Sequence, residues 1–243
     1  MRVIPLMQID SRELIKTLRF KKPLYIGDPL NTIKNFNDFF VDELMINDIS
    51  CSSPDFQFIV ELASELFIPL TYGGGISSRE DVKKVFQSGV EKIALSRNLF
   101  DEDLVNFIVD SYGSQSLVGI LEYKKRRLGS TYHIYNHPNV SEQECFEFIR
   151  KMQFGEVMVK IVDYDGTANG FCSYFKDYPS NFSTPVTING GIESMETILK
   201  YAECGFSGSV CGTMFTFNNN NRNSVLVNYL TLEQLKAIEN AAL

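Results

Sequence analysis

Two glycine steps offer the clearest chemistry in this chain. Gly73-Gly74-Gly75 follows the apolar run 69–72, and Gly190-Gly191 follows the run 185–188. A Gly-Gly step directly after a strand lets the backbone approach a ligand closely. Its N–H groups can then face a phosphate, helped by the N-terminus of a following helix. Each such loop needs a second polar wall. Ser96-Arg97 supplies one for Gly74-Gly75, and Gly212-Thr213 supplies one for Gly190-Gly191. The stretch Asp163-Tyr164-Asp165-Gly166-Thr167 is expected to line the second site as well. A pair of tight turns without a ligand is the competing reading, and the pairing of two such loops argues against it.

The pairing is an internal repeat. Segments 68–96 and 184–212 align without a gap, matching Pro69 with Pro185, Thr71 with Thr187, Gly74 with Gly190, Gly75 with Gly191, Ser78 with Ser194 and Gly89 with Gly205. The offset is close to half the chain, far longer than a solenoid period. It fits a molecule of two similar halves whose equivalent loops face one mouth.

Strand and helix patterns alternate around these loops. Short Val- and Ile-rich runs at 3–9, 43–49, 69–72, 92–95, 117–122, 156–162, 185–188 and 208–210 predict strands. Helical periodicity predicts helices over 28–37, 55–66, 78–87, 101–110, 141–152, 173–178 and 194–203, and from Thr231, where Gln234 completes a capping box. Eight strand–helix units predict a parallel (β/α)8 TIM barrel with a two-fold half-barrel repeat, in a single domain of 243 residues. Segment 131–135 predicts a small extra strand after the fifth barrel strand, and 218–223 reads as a polar loop.

Composition excludes several classes of function. The net charge of −7 disfavours a nucleic-acid or anionic-membrane partner. It leaves room for a small phosphorylated ligand on a local basic patch. Lys124-Lys125-Arg126-Arg127 reads as a solvated hairpin tip rather than a ligand lid. The five cysteines show no metal-ligand or redox spacing, which predicts reduced thiols, no metal and no cofactor, in a cytoplasmic protein. No signal peptide and no apolar run of membrane-spanning length is apparent.

With these residues in view, the chain resembles the cyclase subunit of imidazole glycerol phosphate synthase, a HisF-type barrel. The resemblance rests on Arg2-Val3-Ile4-Pro5, Gly27-Asp28-Pro29, Val41-Asp42-Glu43-Leu44, Asp48-Ile49, Gly73-Gly74-Gly75-Ile76, Asp163-x-Asp165-Gly166-Thr167 and Gly190-Gly191. It implies a ligand with two phosphate ends across the mouth. It also implies ammonia delivered through the barrel from a glutaminase docked at the opposite, N-terminal face. The family's charged gate corresponds to Arg2, Glu43, Lys92 and Glu156, all matching in kind. Two cations and two anions form a neutral ring that is less costly to bury, so a salt-bridged plug is the alternative role.

The chemical end departs from the family. Its two catalytic carboxylates correspond to Gln8 and Glu122. A glutamine cannot exchange a proton at useful pH, and a glutamate reaches one methylene further than an aspartate. Lys160 stands where a hydroxyl residue is usual, and Ser96-Arg97 replaces an Asn-Thr pair. Lys160 and Glu122 are expected to pair across neighbouring strands. The stretch 22–29 resembles barrels that accompany sugar amidotransferases of surface-polysaccharide synthesis. That subclass implies ammonia supply to a third protein in place of cyclisation. A working cyclase is the alternative, a regulatory sensor of a bis-phosphate metabolite the third reading, and a phosphoribosyl isomerase the least favoured.

Overall fold

The chain folds, in a computed structural model that describes residues 1–49, 51–218 and 223–241, around a closed parallel barrel. The polar segment noted above falls, in residues 219–222, outside the described residues. In chain order the strands are β1 (Arg2–Asp10), β2 (Glu13–Leu18), β3 (Lys21–Gly27), β4 (Leu44–Asp48), β5 (Leu70–Gly73), β6 (Lys92–Leu95), β7 (Leu117–Lys125), β8 (Tyr132–Ile134), β9 (Glu156–Ile161), β10 (Val186–Asn189) and β11 (Gly208–Cys211). The barrel runs β1-β4-β5-β6-β7-β9-β10-β11, and β11 closes it by pairing in parallel with β1, Arg2 opposite Gly208. This is the (β/α)8 architecture expected from the alternation of strand and helix patterns.

The helices start where capping residues stand. α1 (Pro29–Asn37), α2 (Phe56–Glu65), α3 (Arg79–Gln87), α4 (Glu102–Tyr112), α5 (Glu142–Lys151) and α6 (Met195–Glu203) are capped by Asp28, Asp55, Ser78, Asp101, Ser141 and Ser194, each side chain accepting a backbone N–H of the first turn. A short α7 (Thr213–Thr216) follows β11. α8 (Leu232–Ala241) begins at the reciprocal Thr231–Gln234 capping bonds. The repeat persists in the backbone. Ser78 and Ser194 have φ of −143° and −150°, and the Gly74-Gly75 and Gly190-Gly191 pairs have φ of 138° and 65°, and 115° and 77°.

Two features differ from the sequence expectation. The helix expected over 173–178 is replaced by two short 3-10 turns, Ser173–Phe175 and Tyr178–Asn181. Phe175 and Tyr178 are buried edge-on against Tyr123, and Pro179 cannot donate to a continued helix. The second feature is a hairpin, β2–β3, grown antiparallel from the top of β1. Both its turns lack glycine. Ser11 and Arg12 have φ of 53° and 66°, and Arg19 and Phe20 have φ of 52° and 61°. Such paired left-handed residues make two-residue hairpin turns whose usual markers are Asn and Gly. A second hairpin is the extra strand foreseen near 131–135: β8 pairs with the outer part of β7.

The apolar core has two compartments. The larger lies between the barrel and its helices. The smaller fills the barrel itself: Ile4, Leu6, Met45, Ala94, Val118, Ile120, Met158 and Val210. Alternation along each strand sends these residues inward. On the same parity, Arg2, Glu43, Lys92 and Glu156 lie below them, and Gln8, Glu122 and Lys160 above.

Candidate functional site

The bottom layer is a closed ring of charge. Arg2 donates from Nη1 to Glu43 Oε2 at 2.7 Å and from Nη2 to Glu156 Oε2 at 2.6 Å. Lys92 Nζ lies 2.7 Å from Glu43 Oε2 and 3.7 Å from Glu156 Oε2. The second Glu43 oxygen accepts the Thr71 hydroxyl at 2.5 Å. Glu43 and Glu156 are buried, while Arg2 and Lys92 keep partial contact with solvent. Burial alone would lower the affinity of Arg2 for its proton; Glu156 and Glu43 more than offset this and raise its pKa. Lys160 stands four residue rises beyond Glu156 on β9, so the apolar sleeve between ring and mouth is roughly 13 Å long.

The mouth above the sleeve is a cavity of about 600 Å³, the size of a small-ligand site. Gly74, Gly75, Ser96 and Arg97 form one part of its wall, and Gln8, Glu122 and Lys160 another. The glycines are held tightly from behind. A Cβ on Gly74 would stand 2.4 Å from the Asp48 carbonyl oxygen, and one on Gly75 2.8 Å from the Ser53 backbone. Cys51 also lines the cavity. Burial, with the charge of Asp48, pushes its thiol up to about 11, which disfavours a thiolate nucleophile.

The second glycine loop sits differently. Gly190, Gly191, Gly212, Thr213 and Asp165 do not line this cavity. A Cβ on Gly212 would meet the end of the Lys16 side chain at 3.0 Å, and one on Gly191 would meet Tyr164 at 2.7 Å. The β2–β3 hairpin thus lies over this half of the mouth. Lys16 and Thr17, on β2 of this hairpin, are both buried. Gln8 Oε1 accepts from Lys16 Nζ at 2.9 Å and from the Thr17 N–H at 3.1 Å. Asp165 accepts the Thr17 hydroxyl at 2.6 Å and lies 3.3 Å from Lys16 Nζ. Desolvation would raise the Asp165 pKa, but Lys16, Lys160 and the Thr17 hydroxyl together hold it below the usual carboxylate value. Asp163, expected beside the second loop, instead accepts the Lys125 N–H at 2.6 Å and braces the other hairpin. Gly166, with φ of 68°, turns the chain immediately after Asp165.

Glu122 and Lys160 are partners in strand register, yet their expected ion pair is absent among the described residues. Glu122 accepts the Ser96 hydroxyl at 3.2 Å. The Lys160 ammonium lies 4.5 Å from the centre of the Phe20 ring. Register fixes where two side chains start; Phe20, delivered by the hairpin turn, sets where the lysine ends. Phe20 also meets Tyr135 edge-on at 6.4 Å, and Lys124 lies over Tyr135 at 4.7 Å. The two hairpins therefore touch across the mouth.

Sequence reasoning brought the ring and the mouth residues to the right ends of the barrel. It missed Lys16, Thr17, Phe20 and Asn136. Asn136 donates to the Ser96 hydroxyl oxygen at 3.0 Å and receives the Glu122 N–H at 3.2 Å. The signal for Lys16 and Thr17 was the run Leu14-Ile15-Lys16-Thr17-Leu18, a strand pattern behind an unmarked turn.

Residues 2–221 match the model of the family described as histidine biosynthesis protein. A Pseudomonas aeruginosa protein named "Putative imidazole glycerol phosphate synthase subunit hisF2" is 34% identical over 96% of this chain and 97% of its own length. The Vibrio vulnificus protein named hisF3 in the same terms is 34% identical over 98% of this chain and 96% of its own. The Clostridium botulinum imidazole glycerol phosphate synthase subunit HisF is 30% identical over 80% and 81%. The barrel, its paired glycine loops and these similarities place the chain in the histidine biosynthesis protein family, among its divergent HisF-type subunits.

Proposed function

We propose that this chain is the synthase-type barrel subunit of a glutamine amidotransferase, acting as one barrel domain that activates a glutaminase and conducts ammonia without cyclising a substrate. The observation that carries this reading is the contrast between the two ends. The charge ring is complete and closed over an apolar sleeve, whereas at the mouth Gln8 occupies a position where acid–base work needs a carboxylate. Gln8 is buried and its oxygen is committed to Lys16 and Thr17. Neutral ammonia crosses an apolar path far more readily than ammonium, which must shed water.

The glutaminase docks at the N-terminal face, around Arg2, Glu43, Lys92 and Glu156. Phe40 and Phe67, which precede β4 and β5 at that end, are 69% and 87% exposed and offer apolar contact. The names of the relatives, subunits of a synthase, fit a partnered protein. The acceptor of the ammonia is a phosphorylated ligand in the mouth or a sugar amidotransferase of surface-polysaccharide synthesis, in the cytoplasm. In the mouth, Gly74, Gly75, Ser96 and Arg97 hold phosphate. Gly190, Gly191, Gly212, Thr213, Asp165 and Gly166 form a second cradle that the hairpin must leave to expose.

The test is reconstitution with the cognate glutaminase. Lys92→Ala should uncouple glutamine hydrolysis from ammonia delivery while the barrel stays folded. Equal transfer efficiency in mutant and wild type, with no glutaminase bound at that face, makes the ring a structural plug. One observation favours a second reading, a functional cyclase. Glu122 is not neutralised by Lys160 and faces the cavity, so one carboxylate remains for proton transfer. Complementation of a histidine auxotroph by this chain decides for that reading.

A further inference from the structure

The mouth carries a surplus of buried positive charge on one wall. Lys16 and Lys160 are each 3% exposed, and the buried carboxylate between them is Asp165. Lys16 is bonded to it at 3.3 Å and to Gln8 at 2.9 Å. Lys160 makes no hydrogen bond or ion pair among the described residues; the Phe20 ring lies against it, and its side chain lines the cavity. An ammonium has three donors, and leaving them unmet in a buried site is costly. An anion in the cavity would meet them. The same cavity is lined by the Gly74-Gly75 loop after β5 and by Arg97 after β6, three and two places from β9 in the barrel order. The second glycine loop lies outside the cavity, with the end of Lys16 packed against Gly212.

From this arrangement we infer that the mouth is selective for a small phosphomonoester with a carboxylate at its other end. The phosphate sits on Gly74-Gly75 with Arg97, and the carboxylate on Lys160. A two-phosphate ligand is not favoured. To reach Gly190-Gly191 it must displace Lys16 and Thr17 from Gln8 and Asp165, breaking contacts at 2.9, 3.3 and 2.6 Å. The exposed cations of the hairpins, Lys21, Lys22 and Lys125–Arg127, add long-range attraction for such an anion in a chain that is otherwise acidic. The inference rests on the mouth being a ligand site, as proposed above, and concerns which ligand it takes.

Calorimetric titration of the full chain with three probes tests it: phosphoglycerate, glycerol phosphate and fructose bisphosphate. Phosphoglycerate should bind about 10-fold more tightly than glycerol phosphate, the gain of one charge-assisted contact. Lys160→Gln should erase that ratio by weakening phosphoglycerate about 10-fold more than glycerol phosphate; Lys160→Met serves if the glutamine variant melts early. Fructose bisphosphate should gain over glycerol phosphate no more than phosphoglycerate does. The inference is overturned if the bisphosphate binds best to wild type, if the ratio survives loss of Lys160, or if none of the probes binds. Ammonia transfer in the glutaminase complex is read separately. Its failure with the probe ratios intact removes the amidotransferase reading and leaves the ligand class standing.

Discussion

Glu43→Gln is the sharpest perturbation of the lower barrel, because it changes one charge and almost no volume. Glu43 receives Arg2 and Lys92 on one oxygen, each at 2.7 Å, and Thr71 on the other. Glutamine can keep the Thr71 contact. The ring, however, changes from two cations with two anions to two cations with one, and Glu156 lies 2.6 Å from Arg2 but 3.7 Å from Lys92. Breaking a buried ion pair by removing one partner costs about 3–5 kcal/mol. Arg2 and Lys92 keep 31% and 21% of their side-chain exposure, so water relieves part of the penalty and the low end, ~3 kcal/mol, applies. For a chain of this size each kcal/mol moves Tm by about 2–4 °C, so a fall of roughly 6–12 °C is expected. Thermal and urea unfolding followed by circular dichroism at neutral pH would measure it. Replacing Arg2, Glu43, Lys92 and Glu156 together by apolar residues of similar size should recover much of the loss, since the cost lies in the unpaired charge. A Glu43→Gln variant within ~0.5 kcal/mol of wild type, the scatter of an ordinary surface substitution, would refute the argument.

Three further outcomes follow from the mouth and the ring. Asp165 has a lowered pKa in the folded state, so the stability it contributes is present above the ordinary carboxylate value and is lost as pH falls through the folded one; Asp165→Asn should flatten that acid limb, and an unchanged slope in pH-dependent urea titrations would remove the Lys16–Asp165 account. Cyclase turnover with free ammonia should be at least ~10²-fold below that of an enzyme with two carboxylates, and Gln8→Asp alone should not restore it, because the new carboxylate meets Lys16; rapid turnover by the wild type contradicts this. Phe20→Ala should free the Lys160 ammonium and loosen the contact between the hairpins, read as faster amide exchange over residues 13–27 with the barrel strands unchanged; equal exchange in both proteins would show that Phe20 braces nothing.

The barrel was legible because its signals are redundant. Each strand is apolar and short, each main helix begins at Asp or Ser, and the repeat fixes two units at once. The ring of Arg2, Glu43, Lys92 and Glu156 was legible from the resemblance to the HisF-type barrel, whose charged gate falls at these positions, and strand parity supported it. The β2–β3 hairpin was not legible because its turns are Ser11-Arg12 and Arg19-Phe20, where left-handed backbone is uncommon and costs energy. Nothing local announces such a turn; it is held by what the hairpin reaches, including Asp165, which binds the Thr17 hydroxyl and accepts the Phe20 N–H at 3.4 Å. The expected helix at 173–178 failed for a related reason. Its apolar residues have helical spacing, but Phe175 and Tyr178 bury as rings against Tyr123, and tertiary packing overrode local propensity.

The same hairpin explains why the changes at the mouth belong together. Lys16 needs an anionic or strongly polar acceptor in a site from which water is excluded. With a carboxylate at position 8 it would have one of its own, and Asp165 would be left to Thr17. With Gln8 there, Lys16 keeps an acceptor oxygen at 2.9 Å but loses a full charge, and leans on Asp165. Asp165 is also the carboxylate whose proton affinity Lys160 lowers. Gln8 and Lys160 thus shift the mouth in one direction, each adding net positive charge to the same buried wall. Proton shuttling needs a group that can give and take a proton, and position 8 offers an amide instead. A site so composed is suited to holding an anion still, and Glu122, which accepts the Ser96 hydroxyl, is a carboxylate lining the same cavity.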